Sequence, residues 1–166
     1  MAMHAARKLR QAVANSERVL ALTVITPYMA SREIAEAQDL TTRLGIRHQL
    51  LTLPIPDDIA HNPPDRCYRC KRTLFAELKA VAAAEGLTWL ADGANQDDLS
   101  DYRPGMRALQ ELAVRSPLLE AGLGKADLRR YARALNLPVW NKPASACLLT
   151  RLPHDTEVQP ELLHRI

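Results

Sequence analysis

Hydrophobic and polar positions along the chain alternate between two rhythms: short unbroken apolar runs bounded by Pro or Gly, and longer stretches with apolar residues three and four apart. The first rhythm predicts buried strands and the second amphipathic helices. Residues 3–13 are basic and Ala-rich and predict a helix; residues 19–26, a run of Val, Leu, Ile, Ala and Thr ended by Pro27, predict a strand. Ser31, followed by Glu33 and Glu36 and by Ile34, Ala35, Ala37 and Leu40 at helical spacing, predicts a capped helix that closes at Gly45. Residues 47–53 predict a second strand. In Asn62-Pro63-Pro64-Asp65 the Asn reads as an N-cap, Pro as a first helical residue and Asp as a first-turn acid, so a helix should run to Glu85 before Gly86. Residues 88–92 predict a short strand opening into the polar loop 93–98, where open α/β sheets bind ligands. Helices follow over 104–114 and 125–135, the second stopped by Asn136 and Pro138, and residues 160–166 begin another. This alternation predicts an α/β domain with a mostly parallel sheet.

Composition narrows the class. A chain of 166 residues with 47% apolar and 25% charged residues is one globular domain's worth, not a fibre or a disordered tail. The longest uncharged apolar run, 19–30, is too short to span a bilayer. Arg7, Lys8 and Arg10 are not followed by an apolar signal stretch, so a cytoplasmic location is expected. The net charge of +3 suits an anionic small molecule, a nucleotide or RNA, but aromatic residues are only 4%, too few for the stacking platforms of single-strand RNA binders. A helix starts almost at the N-terminus with no strand before it, and the last helix stops after about two turns. The sequence is therefore expected to be the middle of something longer.

Three cysteines, Cys67, Cys70 and Cys147, change the picture most. An odd number with one close pair argues for metal, cluster or sulfur chemistry rather than for a disulfide framework. The spacing of Cys67 and Cys70 puts both sulfurs on one helix face, about 60° apart. Arg66, Arg69, Lys71, Arg72 and the helix N-terminus are expected to lower the thiol pKa values there. The alternative is ordinary core packing, since Leu74, Leu78 and Val81 continue the stripe. Cys147 lies in a loop of small residues between Lys142 and Arg151. If it folds back beside the pair, three thiolates could each hold one iron of a [4Fe-4S] cluster and leave the fourth open. Zinc is the weaker reading, because a fourth ligand would have to come from scattered residues such as His61 or His154. His4, His48 and His164 read as surface or packing residues.

The stretch from Asp92 to Gly105 gathers Asp92, Asp97, Asp98 and Asp101 with Asn95, Tyr102 and Arg103 after a strand. Such a group could bind Mg²⁺ or a nucleotide, or be a solvated acidic loop with plain turn chemistry.

Four motifs in order, Asn62-Pro-Pro-Asp-Arg-Cys-Tyr-Arg-Cys-Lys71, Ala91 to Ala108, Val114-Arg-Ser-Pro-Leu118 and Asn141-Lys-Pro-Ala-Ser-Ala-Cys147, strongly resemble the LarE-type sulfur transferases of the PP-loop ATP pyrophosphatase superfamily. The resemblance covers essentially the whole chain. It implies a parallel-sheet, Rossmann-like three-layer domain of the adenine nucleotide α-hydrolase type over residues 1–140, without its first strand and Ser-Gly-Gly-x-Asp-Ser phosphate loop. Residues 141–166 would be the sulfur-donor cysteine loop and the start of a C-terminal region. It further implies ATP and Mg²⁺ as cofactors and an anionic pyridinium mononucleotide as substrate. A substrate carboxylate would be adenylylated and converted to a thiocarboxylate, in nickel-pincer nucleotide cofactor biosynthesis. Members with a single cysteine at the position of Cys147 sacrifice its sulfur; members with all three hold a [4Fe-4S] cluster on Cys67, Cys70 and Cys147, with Cys147 the catalytic position. Asp92, Gly93 and Asn95 would lie near the nucleotide, and Arg103, Lys142 and Arg151 near phosphates or the anionic substrate. A homo-oligomer is implied, with no membrane and no nucleic acid partner. A tRNA-thiolating enzyme of the same superfamily, and a metal-binding or partner-binding module without ATP binding, are the alternatives.

Overall fold

The structure, a computed structural model, describes residues 19–163 and 165. The helix expected over 3–13, His4 and His164 lie outside the described residues. Strand β1, Leu20–Ile25, runs parallel to β2, Arg47–Thr52, in a register that sets Leu20 opposite Arg47 and Ile25 opposite Thr52. A parallel pair needs a crossover, and helix α1, Ser31–Leu44, provides it. His48 stitches the three elements together: one ring nitrogen meets Thr23 Oγ1 of β1 at 2.9 Å and the other Thr41 Oγ1 of α1 at 3.0 Å. Gly45 ends α1 at φ 62°, where a side chain would be strained.

The long helix α2, Arg66–Ala84, follows, and packs against α3, Gly105–Glu111. Short helices α4, Pro117–Glu120, and α6, Pro160–Leu163, flank α5, Lys125–Ala134. Single 3₁₀ turns stand at Asp57–Ile59, Gln96–Leu99, Pro138–Asn141 and Leu148–Arg151. Tyr28, Ile59, Leu149, Leu152, Val158 and Leu163 form a buried cluster on which Cys70 and Leu148 also pack. That cluster joins the start of α2 to the segment around Cys147. Among the described residues, no helix is long and apolar enough to cross a membrane.

The α/β character and the parallel pairing are as expected, but among the described residues the sheet has two strands. Residues 88–92 do not form a laddered strand. Ala91 makes one isolated parallel bridge with Arg115, through Asp92 N to Arg115 O and Arg115 N to Leu90 O, both 2.9 Å. A cavity of about 610 Å³ stands between this segment and β1, lined by Leu20, Leu22, Phe75, Leu78 and Trp89, so the two backbones do not meet.

Two expected caps also differ. Ser31 is the first residue of α1 rather than its cap; Ala30 holds the cap position with no side-chain bond, and Glu33 turns to Lys142 instead of to the helix end. Asn62 does not cap α2, which starts at Arg66 behind Asp65. It is fully buried at φ 50°, and its amide nitrogen donates to the carbonyls of Leu149, Leu152 and Pro153 at 3.3, 3.1 and 2.8 Å. Three long-range acceptors outcompete one local cap.

Candidate functional site

The three cysteines share one neighbourhood. Cys67 and Cys70 lie in the first turns of α2, Cys67 exposed and Cys70 half-buried. Cys147 is exposed and immediately precedes the turn Leu148–Arg151. Tyr28, just past β1, links both regions. Its hydroxyl lies 3.2 Å from Cys70 Sγ, and its carbonyl accepts from Leu148 N at 3.3 Å and from Cys147 Sγ at 3.8 Å. Cys147 and Cys67 both oppose the ionisation of Cys70, and Cys67 opposes that of Cys147.

The lowering of thiol pKa values expected at the start of α2 is overturned for Cys70. Burial pushes the Cys70 thiol up to about 11, with the Tyr28 hydrogen bond opposing and the neighbouring cysteines adding to the rise. Burial of one side of the Cys147 thiol raises it as well, against a backbone hydrogen bond at Leu149 and the charge of Arg66. Tyr28 is itself raised, first by burial and then by Cys70. Of the cations expected to lower the values at the pair, Arg69 is engaged on Asp65 at 2.8 Å and Arg72 on Asp58 at 3.8 Å. Desolvation therefore wins over the helix dipole.

Lys142 latches the cysteine loop to α1. Its ammonium pairs with Glu33 at 2.6 Å and with Glu36, and these bonds raise its pKa against burial while lowering that of Glu33. The acidic loop is bound up with itself. Asn95 Nδ2 donates to Asp98 Oδ2 at 2.9 Å, and Asp97 N donates to Asn95 Oδ1 at 3.2 Å. Buried Asp98 takes Arg103 at 2.9 Å. Asp92 accepts from Ser116 Oγ at 2.6 Å, and a Cβ on Gly93 would meet nothing within 4 Å. Arg103 lines a cavity of about 270 Å³ with Cys67, Lys71 and Tyr102, which puts a guanidinium, an ammonium and an exposed phenol beside a thiol. Arg151 lines another, of about 520 Å³, with Ser31, Arg32 and Ser145. The structure thus draws the three cysteines into one region, sets Arg103 beside Cys67, and leaves Asp92, Gly93 and Asn95 on the acidic loop, which Asp98 ties to Arg103.

Tyr28, Glu33 and Asn62 were not foreseen as site-forming. Their partners lie 42 to 119 residues away, beyond any local pattern, although Asn62 already stood out in the Asn-Pro-Pro run.

No protein-family model matches the chain. Among curated proteins, an uncharacterised protein of Synechocystis is 39% identical over 90% of this chain and 57% of its own length. The pyridinium-3,5-bisthiocarboxylic acid mononucleotide synthase of Lactiplantibacillus plantarum is 34% identical over 90% of this chain and 55% of its own. The chain belongs to the LarE-type family. A more distant likeness reaches a tRNA-specific 2-thiouridylase of Azorhizobium caulinodans, 32% identical over 70% of this chain and 37% of that protein. The chain spans little more than half the length of these first two curated relatives, 57% and 55%.

The donor set can be tested against a metal group. Among the described residues, no group of three or more His, Cys, Asp or Glu side chains converges on a metal position. A single zinc ion, with bonds of about 2.3 Å to sulfur, needs its ligands that close. An iron–sulfur cluster separates its thiolates across a multi-iron core and takes sulfur donors alone. Cys67, Cys70 and Cys147 offer sulfur donors alone, the donor type such a cluster takes, and His154 is engaged with Arg66.

Proposed function

We propose that the chain is the cysteine-bearing part of an ATP-dependent sulfur transferase, with a three-layer adenine nucleotide α-hydrolase-like fold, that converts a carboxylate of a pyridinium mononucleotide to a thiocarboxylate for nickel-pincer nucleotide synthesis. The observation that carries this reading is the joining of Cys70 and Cys147 through Tyr28, with Cys67 one turn before Cys70 in α2, in a chain related to a named bisthiocarboxylate synthase. Sulfur insertion into a carboxylate needs the acid activated first, since a carboxylate oxygen is a poor leaving group. Transfer of AMP from ATP, with release of pyrophosphate, supplies that activation, and a sulfur nucleophile then displaces AMP.

Cys67, Cys70 and Cys147 would hold a [4Fe-4S] cluster, which when bound supplies an open iron able to carry an extra sulfide for transfer. The chain's own residues do the rest. Arg103 and Lys71 line the smaller cavity with Cys67, and Arg151 and Arg32 line the larger with Ala146 and Leu148, the neighbours of Cys147, so anionic groups of the substrate would meet cations in both. Asp92, Gly93 and Asn95 would approach the nucleotide. Lys142 holds the loop that presents Cys147, its charge shared with Glu33 and Glu36.

Anaerobic reconstitution with iron and sulfide tests the reading. The wild type should take up a cluster, Cys67→Ala, Cys70→Ala and Cys147→Ala should each lose iron, and a carboxylated pyridinium mononucleotide should elicit pyrophosphate release from ATP in the full-length protein. Equal iron in all four proteins would reject the three-thiolate site. The likeness to a tRNA 2-thiouridylase supports a second reading, thiolation of an adenylylated base. Binding of tRNA that weakens steeply with salt would favour it.

A further inference from the structure

Tyr28 is 3% exposed within an apolar cluster of Ile59, Leu149, Leu152, Val158 and Leu163. Packing alone would be met by a phenylalanine; a buried phenol hydroxyl needs a polar partner. Here the partner is a sulfur, Cys70 Sγ at 3.2 Å. The same residue's carbonyl holds the far end of the site, through Leu148 N at 3.3 Å and Cys147 Sγ at 3.8 Å. One residue therefore sets the spacing between two sulfurs 77 positions apart in the chain. Its own place is fixed in turn, because Pro27 and the end of β1 precede it and Leu149 and Leu163 pack around it.

We propose that Tyr28 is a positioning residue for the sulfur site: it registers Cys70 against Cys147, and its hydroxyl donates a hydrogen bond to the Cys70 sulfur that raises the reduction potential of the cluster bound there. The inference rests on the cluster reading above. Once Cys70 is a metal-bound thiolate its sulfur carries no proton, so the phenol is the donor by necessity. A donor on a ligand sulfur draws off negative charge and stabilises the reduced, more negative form, and such bonds are among the protein's means of setting cluster potentials. The Leu148 N–H bond survives ionisation of Cys147, whereas the thiol bond to the Tyr28 carbonyl does not, so the backbone contact keeps the register in the loaded state.

Tyr28→Phe keeps the ring and removes the donor. Both proteins are reconstituted anaerobically and compared by urea unfolding, iron and sulfide content, potential in an EPR-monitored titration, and exchangeable-deuteron coupling to the reduced cluster in D₂O. The expected result is a folded variant that holds a cluster whose potential is shifted to a more negative value and whose spectrum lacks one deuteron coupling present in the wild type. An unchanged potential with the coupling retained overturns the role of Tyr28 while leaving the cluster in place. A wild type with no such coupling overturns it without reference to the variant. A wild type that binds no iron defeats the cluster reading, and this inference with it.

Discussion

Asn62 donates its side-chain amide to the carbonyl of Leu152 at 3.1 Å, across 90 residues of chain, and the same nitrogen also serves Leu149 and Pro153. The clasp ties the segment that leads into α2, with Cys67 and Cys70, to the turn that follows Cys147. Asn62→Ala leaves three carbonyls without that donor and puts an alanine at φ 50°. The expected loss is about 2–4 kcal/mol of unfolding free energy, from buried acceptors and backbone strain together. Urea unfolding measures it. Asn62→Gly, which relieves the strain but not the lost bonds, should recover only part; full recovery would show that the hydrogen bonds contribute little.

The Cys70 thiol, raised to about 11 by burial against the Tyr28 hydrogen bond, should resist alkylation in the metal-free protein. At pH 8 about one molecule in a thousand would carry the thiolate. Iodoacetamide labelling followed by mass spectrometry should find Cys70 nearly unmodified at pH 8, with a rate that climbs about tenfold per unit towards pH 10. A plateau by pH 9 would contradict the burial. The linkage has a definite sign. The ordinary value is 9.0 and the folded value is higher, so the folded state holds its proton longer, and stability falls as pH rises from about 9 to about 11.

Much of the scaffold was legible because it obeys local rules. The apolar run before Pro27, the helical spacing from Ser31 to Gly45 and the Gly86 stop all reappear as β1, α1 and the end of α2 within one or two residues. Failures came where distant partners outbid local ones. Asn62 looked like a cap and is a clasp; residues 88–92 looked like a strand, but an open cavity separates them from β1. The site was half legible. The cysteines could be counted, but the Cys70 pKa could not be read from neighbouring charges, because Arg69 and Arg72 have partners of their own and burial decides the outcome.

Lys142→Met should free the cysteine loop from α1. The stability cost is expected to be under about 1 kcal/mol, since the partners are partly solvated, but Cys147 should become more readily alkylated. The pH dependence follows from both partners. The Glu33 carboxyl lies below its ordinary value of 4.5, so its contribution is present above that pH and is lost as pH falls through the lower folded value. Lys142 lies above 10.5, so its part is present below that pH and is lost as pH rises further. The difference in stability between the wild type and Lys142→Met should therefore be flat near neutrality and shrink at both extremes. A constant difference down to pH 3 would remove the latch.

Gly105 opens α3 where it crosses α2. A Cβ there would stand 2.6 Å from Lys71 Cδ and 3.1 Å from the carbonyl oxygen of Cys67. Lysine can move its side chain aside, but the Cys67 carbonyl belongs to the helix backbone and cannot. Gly105→Ala should therefore push α3 away from the turn that carries Cys67 and widen the cavity shared by Lys71, Tyr102 and Arg103. The expected loss is about 1–3 kcal/mol, the range for overpacking, together with a drop in iron uptake on reconstitution. Gly105→Ala with Lys71→Ala separates the two contacts. Recovery of stability in the double variant would assign the strain to the lysine stem, and persistence of the defect would assign it to the backbone beside Cys67.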